Sequence, residues 1–345
     1  MKRAAMKMRT KSVMWHSQPG RHECCSRMLP SFLVLGERKC GTTSYFNYIL
    51  THPFILPPKS KEPGYLSQWH LLPSCCTYAQ FFPALDNFSA SCMRRVELLR
   101  SGKVAETHAL CTTRRIGVHY ITGEATATTL TQANPSTVRS LVPHAKLIVL
   151  ARCPVQRLFS HYCMYLRFKA EGRASYRDLE TIEKIVASEV HLLQHCLTHS
   201  SPCNSGNLVS PGYYASWLKH WEITWSLAPI LVLFTEELAE ASRSSSLGLK
   251  TYLRASFHHI GVDPDRLNTS VLNTARSNVA ATVTELPVGV DNRTMHTVAQ
   301  MVCPLFSRWN LELATWVERP VPSSWMCHTH GPIRSLPRLQ SPWFG

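Results

Sequence analysis

Hydrophobic and polar positions follow two rhythms along the chain. Phe32 to Leu35 and Ile230 to Thr235 read as strands, and Lys146 to Ala151, a continuous apolar run, as a buried strand. Val118 to Gly123 reads as a further strand. Between them lie helical segments: Thr43 to Leu50, stopped by His52-Pro53; Pro135 to Leu141; Val155 to Lys169; Tyr176 to Cys196, with apolar residues at Ile182, Ile185, Val186, Leu192 and Leu193; Tyr213 to Trp225; and Ser245 to Ile260. Residues 57 to 104 mix Pro, Cys and aromatic clusters with short helical pieces, and Asn204 to Pro211 is a loop. No internal repeat is evident. The alternation predicts an α/β fold, a P-loop-like, mostly parallel sheet with helices on both faces and ligand loops at the carboxyl ends of its strands.

Two strand-to-helix joints carry candidate chemistry. In the first, Leu33 to Thr43, Gly36 and Gly41 stand at the spacing of a phosphate-binding loop, with Thr42, Thr43 and Ser44 opening the helix. Backbone N–H groups and the helix dipole there favour an anion. A nucleoside triphosphatase carries Lys directly after its second Gly, whereas Thr42 follows Gly41 here and Lys39 comes earlier. No strand ends in a magnesium-holding Asp. The loop is therefore expected to hold a nucleotide without hydrolysing a metal-bound triphosphate, which disfavours a P-loop kinase. The second joint, Arg152-x-Pro154-x-x-Arg157-x-x-Ser160, sets a guanidinium at a strand end and a hydroxyl two turns into the next helix, suited to one phosphate. Two such grips fit a nucleotide with phosphates at two positions.

Gly36-x-x-Lys39-x-Gly41-Thr42-Thr43 resembles the 5′-phosphosulfate loop of sulfotransferases, which use 3′-phosphoadenosine 5′-phosphosulfate (PAPS), and Arg152 to Ser160 is similar to their 3′-phosphate motif. The resemblance covers most of residues 31 to 325. Lys61-Glu62-Pro63 follows the first helix as in the Golgi carbohydrate sulfotransferases, and Gly123-Glu124-Ala125-Thr126 is similar to a Gly-Glu-x-Ser/Thr element of that family. Gly212-x-Tyr214-Ala215 with Leu218 and Trp221, then Ile230 to Phe234 and Glu236, resembles the family's late helix and strand. The run Gly123 to Thr129 resembles in particular the N-acetylgalactosamine 4-sulfate 6-O-sulfotransferases of chondroitin and dermatan chains.

This resemblance implies a PAPS-dependent enzyme of the sulfotransferase fold, acting on a glycosaminoglycan in the Golgi lumen without a metal. It implies that Glu62 is the base that deprotonates a sugar hydroxyl, a role that asks for tuning by burial beside Lys61. Lys39 is suited to the bridging oxygen and leaving phosphate. Lys39, Cys40, Gly41, Thr42, Thr43, Arg152 and Ser160 form the donor site, and Lys61 and Glu124 stand as acceptor contacts. Several alternatives stay open. A histidine base, His108 or His119, is the habit of cytosolic relatives; Glu124 serves substrate or the strand end; Arg157 serves phosphate or a helix neighbour. Where many relatives place Asp after the motif arginine, Cys153 stands here, so a catalytically silent glycan-binding relative is the second reading.

The composition fits a polyanionic partner: Lys plus Arg number 37 against 22 Asp plus Glu, a net charge of +15, in 345 residues that are 44% hydrophobic. Nucleic acid is the weaker partner, since no RNA-reading motif or zinc spacing occurs: the Cys24-Cys25 and Cys75-Cys76 doublets lack the separation of metal knuckles. Thirteen cysteines fit an oxidising lumen. The resemblance pairs Cys196 with Cys203, while Cys40 and Cys153 read as reduced packing residues. Sequons stand at Asn87, Asn268 and Asn292. Residues 1 to 30 form a basic, poorly ordered segment without the apolar run of about 20 residues that a signal anchor needs, so no membrane anchor is expected in this chain, and a transit peptide is the lesser reading. Residues 326 to 345 read as an irregular extension.

Overall fold

The computed structural model describes residues 27–67, 74–83, 120–196, 206–225, 229–273 and 290–325, the side chains of 194–196 excepted. Five strands, β1 (Phe32–Val34), β2 (Ile55–Leu56), β3 (Ile121–Glu124), β4 (Lys146–Ala151) and β5 (Ile230–Phe234), form one sheet in the order β2-β3-β1-β4-β5, every pair parallel. The helices in chain order are α1 (Thr42–Ile49), α2 (Cys75–Ala79), α3 (Thr129–Gln132), α4 (Pro135–Leu141), α5 (Pro154–Ala170), α6 (Ile182–Cys196), α7 (Tyr214–Thr224), α8 (Thr235–Ser244), α9 (Ser246–Ile260) and α10 (Asn292–Trp316). The predicted α/β class and parallel sheet are as expected.

The strand order is what brings the two grips together. β1 lies between β3 and β4, with Phe32 opposite Gly123 on one side and Lys146 on the other. Phe32, Leu33, Val34 and Leu147 to Ala151 are all buried, as central strands of a parallel sheet must be. The β1–β4 ladder continues into the loop: Leu35 N–H bonds the Ile148 carbonyl at 2.9 Å and Leu150 N–H the Gly36 carbonyl at 2.9 Å. The loops after β1, β3 and β4 therefore open side by side at the carboxyl edge, where the sheet changes winding direction.

Helix boundaries follow local chemistry. Asn134 caps α4 by accepting the Thr137 N–H, with Pro135 at the first helical position, and Pro154 opens α5 in the same way. Asp291 caps α10 through the Thr294 N–H at 2.8 Å. Three tryptophans pin the α7 region to its surroundings, Trp217 to Ser210, Trp221 to Leu130 and Trp225 to Ala145, each through its indole N–H to a carbonyl.

Two expectations change. The helix expected from Tyr176 starts at Ile182, with Tyr176 in a separate 3-10 turn, Ala174–Tyr176, and the Ile185 N–H bonding Thr181. Thr235 ends no strand: it opens α8, which the glutamates of its first turn favour and which precedes a fresh start capped by Ser245. The final segment, for which no element was expected, forms a 25-residue helix around Pro304. The expected strand start at Val118 and His119 lies outside the described residues, as do residues 1–26 and 326–345. Arg27 and Met28 dock on the Phe82 and Pro83 carbonyls.

Candidate donor and acceptor site

The first loop is shaped by three residues with positive φ, Gly36 at 132°, Lys39 at 68° and Gly41 at 75°. Gly36 also sits against the chain after β3, where a Cβ would come within 2.4 Å of the Ala127 carbonyl oxygen. Gly41 precedes α1 in the left-handed conformation, and no side chain caps that helix, so its first N–H groups face outward for an anion. Glu37, buried in the same loop, accepts the Arg38 N–H at 2.8 Å, and burial lifts its carboxyl above the usual range. Burial, then Arg167 and Arg152, push the Lys39 ammonium down to about 8.

The second grip is clamped to the first. Arg152, 2% exposed, donates from Nη1 to the Lys39 carbonyl at 3.0 Å, across 113 positions of sequence. The Tyr214 hydroxyl accepts the Arg152 N–H at 3.3 Å, donates to the Arg152 carbonyl at 3.0 Å and lies 3.3 Å from Cys40 Sγ. Thr235 Oγ1 stands 2.7 Å from the Cys40 carbonyl and 3.1 Å from that of Ala151, joining the two loops again. Burial raises the thiols of Cys40 to about 12 and Cys153 to about 11, so both stay protonated packing groups. Glu236 Oε1 accepts the Cys153 N–H at 2.9 Å; burial raises its carboxyl, and the Arg152 charge works against that rise.

Ser160 is buried on α5, and its hydroxyl has no protein partner. Arg157 takes the helix-neighbour role: it is buried, Nη1 lies 3.4 Å from His161 Nδ1, and Nη2 bonds the Leu208 carbonyl.

On the other flank of the first loop, the Lys61-Glu62 segment docks on the chain after β3, with Ala125 N–H bonding the Lys61 carbonyl at 2.9 Å and Gly64 N–H the Thr126 hydroxyl at 3.2 Å. Lys61 Nζ pairs with Glu62 and lies 3.5 Å from Thr42 Oγ1, which ties both residues to the start of α1. The burial expected to tune Glu62 is not there: its side chain is 46% exposed. Glu124 is turned inward instead, its carboxylate held by the Tyr78 and Thr126 hydroxyls, and burial raises it to about 7. Those contacts fit the supporting role weighed for Glu124 better than a substrate contact.

Thr43, Asn268 and Asn292 are exposed, the last at the first position of α10. Cys76 and Cys303 are disulfide-bonded. Asn87, Cys203, the Cys196 side chain, His108 and His119 lie outside the described residues. Among the described residues, no group of His, Cys, Asp or Glu is arranged to hold a metal, and no helix is long and apolar enough to cross a membrane. Thr235 is the site residue that sequence reading missed, since a threonine after a strand carries no signal of the loop it will meet.

A parallel sheet with anion loops after adjacent strands β1 and β4 is the sulfotransferase fold. The crystal structure of a sulfotransferase from Alicyclobacillus acidocaldarius matches it with a TM-score of 0.51 at 18% identity, over 86% of this chain and 99% of that one. In sequence, the chain is similar to carbohydrate sulfotransferase 15 of Rattus norvegicus, 25% identical over 246 residues, and of Homo sapiens, 24% identical over 246. Each of these matches covers 62% of this chain and 41% of the relative. It is also similar to the bifunctional heparan sulfate N-deacetylase/N-sulfotransferase 3 of Homo sapiens, 24% identical over 227 residues, covering 63% of this chain and 21% of that protein. The chain thus spans less than half the length of these relatives, and no family model matches it. Its homologues are carbohydrate and heparan sulfate sulfotransferases, as the motifs led us to expect.

Proposed function

We propose that this protein transfers a sulfuryl group from PAPS to a hydroxyl of a glycosaminoglycan, with the 6-O position of N-acetylgalactosamine in a chondroitin-type chain as the preferred acceptor. The observation that carries the reading is the clamp between the two grips, Arg152 Nη1 to the Lys39 carbonyl, beside a buried, unpartnered Ser160 hydroxyl and an uncapped α1. These residues suit the donor: Lys39 to Thr43 for its 5′ end, Arg152 and Ser160 for its 3′-phosphate. When bound, PAPS supplies the sulfuryl group and a phosphate leaving group.

The chain's own residues do the rest. Glu62 accepts the proton of the acceptor hydroxyl, and Lys61 holds Glu62 next to Thr42. Lys39, partly withdrawn from water, keeps an ammonium where negative charge develops on the departing oxygen. Tyr214 and Thr235 keep the two loops at fixed separation, so the donor is held rather than gathered at each turnover. The family resemblance favours the Golgi lumen for this activity, and Cys76 and Cys303, each disulfide-bonded, suit an oxidising compartment.

Incubation of purified protein with labelled PAPS and a panel of desulfated and sulfated glycans tests the reading. Transfer to chondroitin-type chains is expected; glycan binding without transfer to any of them favours the silent relative.

A further inference from the structure

Helix α5 runs on beyond the phosphate motif, and the donor site leaves its far half unused. Ser160, Cys163 and Arg167 stand three and four residues apart, so they line one face of α5, with Arg167 about 10 Å along the axis from Ser160. Ser160, at the near end of this face, belongs to the second grip, and the charges of Arg167 and Cys163 act on Lys39 of the first.

An aromatic shelf flanks the same stretch. Tyr176, carried back by the turn after α5, lies with its ring 5.1 Å from Tyr165 and 5.1 Å from Phe168. Arg173 lies over Phe168, 3.8 Å from the ring centroid. Glu171 holds Arg173 at 2.9 Å but reaches Arg167 only at 3.7 Å. Arg167 is thus a half-exposed guanidinium, loosely paired with Glu171 at 3.7 Å and 5.7 Å from the Phe168 ring centroid.

We propose that Arg167, with Phe168 and Tyr176 beside it, is the acceptor subsite that holds the anionic group of a sugar next to the reacting one. This rests on the sulfuryl-transfer reading and adds where the acidic chain lies. A guanidinium presents forked N–H donors to a sulfate or carboxylate, and aromatic faces pack on the C–H face of a pyranose. The donor keeps its own cations at the start of α5, so the two anions do not compete for one.

Direct titration tests this without turnover. The unmutated chain, Arg167→Ala, Arg167→Lys and Tyr176→Ala are titrated with a chondroitin 4-sulfate hexasaccharide, with its unsulfated counterpart, and with 3′-phosphoadenosine 5′-phosphate. Arg167→Ala is expected to weaken acceptor binding about tenfold, Arg167→Lys to restore part of it, and nucleotide affinity to stay within about twofold. Loss confined to the sulfated hexasaccharide identifies the held group as sulfate; equal loss in both identifies a carboxylate. Tyr176→Ala should weaken both oligosaccharides by about threefold, and unchanged affinity there removes the shelf. Unchanged acceptor affinity in Arg167→Ala, an equal fall in nucleotide affinity, or no acceptor binding by the unmutated chain overturns the proposal. Sulfuryl transfer by the unmutated chain is read separately: its absence sinks the proposed activity, while the titrations still decide Arg167.

Discussion

The Arg152 guanidinium donates to the main-chain carbonyl of Lys39 at 3.0 Å, so the group assigned to the nucleotide's 3′-phosphate also fixes the loop assigned to its 5′ end. Removing it should cost both. Arg152→Ala is expected to weaken nucleotide binding by about 1.5 to 3 kcal/mol, ten- to a hundredfold, and to lower kcat at saturating donor as well. Arg152→Lys should recover little, because a point charge cannot serve a phosphate and a carbonyl together. Isothermal titration with the nucleotide and steady-state kinetics read the two effects.

Lys39 makes donor binding depend on pH. Its ammonium sits at about 8, below its usual range, through burial, Arg167 and Arg152. Binding that needs the charged form is present below pH 8 and lost as pH rises through it. Lys39→Arg should remove this descending limb, since a guanidinium stays charged, and Lys39→Ala should cut transfer by about 10²- to 10³-fold while sparing glycan binding. A flat nucleotide-binding profile from pH 7 to 9.5 in the unmutated chain sinks the assignment.

Glu62 is half exposed, so Glu62→Gln should fold normally. As the base, its loss should lower kcat by about 10²- to 10⁴-fold with nucleotide and glycan affinities nearly unchanged. Full turnover in that variant moves the base elsewhere.

Glu124 ties stability to acidity. Its folded-state carboxyl is raised from 4.5 to about 7, so the folded chain keeps a proton that the unfolded chain releases. The stability it contributes is complete below about pH 4.5 and lost as pH rises through 7, at most about 1.4 kcal/mol per pH unit between them. Urea midpoints from pH 5 to 7 should fall less steeply in Glu124→Gln than in the unmutated protein. Parallel slopes in the two proteins rule this out.

The parts of the fold that were legible are those whose signal is local. Lys146–Ala151 is a strand to the residue because both its faces are covered, and Pro135–Leu141 a helix to the residue because Asn134 and Pro135 mark its start. Gly36 and Gly41 announced the first grip through their spacing. What depends on distant pairing was hidden. Nothing near Phe32 says that β3 and β4 will be its neighbours, and Thr235 is unremarkable until Cys40 is folded against it. The exposure of Glu62 and the inward turn of Glu124 were equally unreadable: Glu124 is held inward by the hydroxyl of Tyr78, 46 positions away, and nothing in Lys61-Glu62-Pro63 tells how deep that segment sits.

Glu236 changes what counts as a lost residue. The motif alone shows a thiol, Cys153, where the resembling family often places an acid, yet a carboxylate reaches the Cys153 N–H from the first turn of α8. Negative charge at this joint is set by what the fold brings to it, not by the motif residues alone. An acid placed at position 153 by Cys153→Asp would therefore enter a joint whose backbone N–H already holds a carboxylate, adding a second negative charge at the mouth of α5.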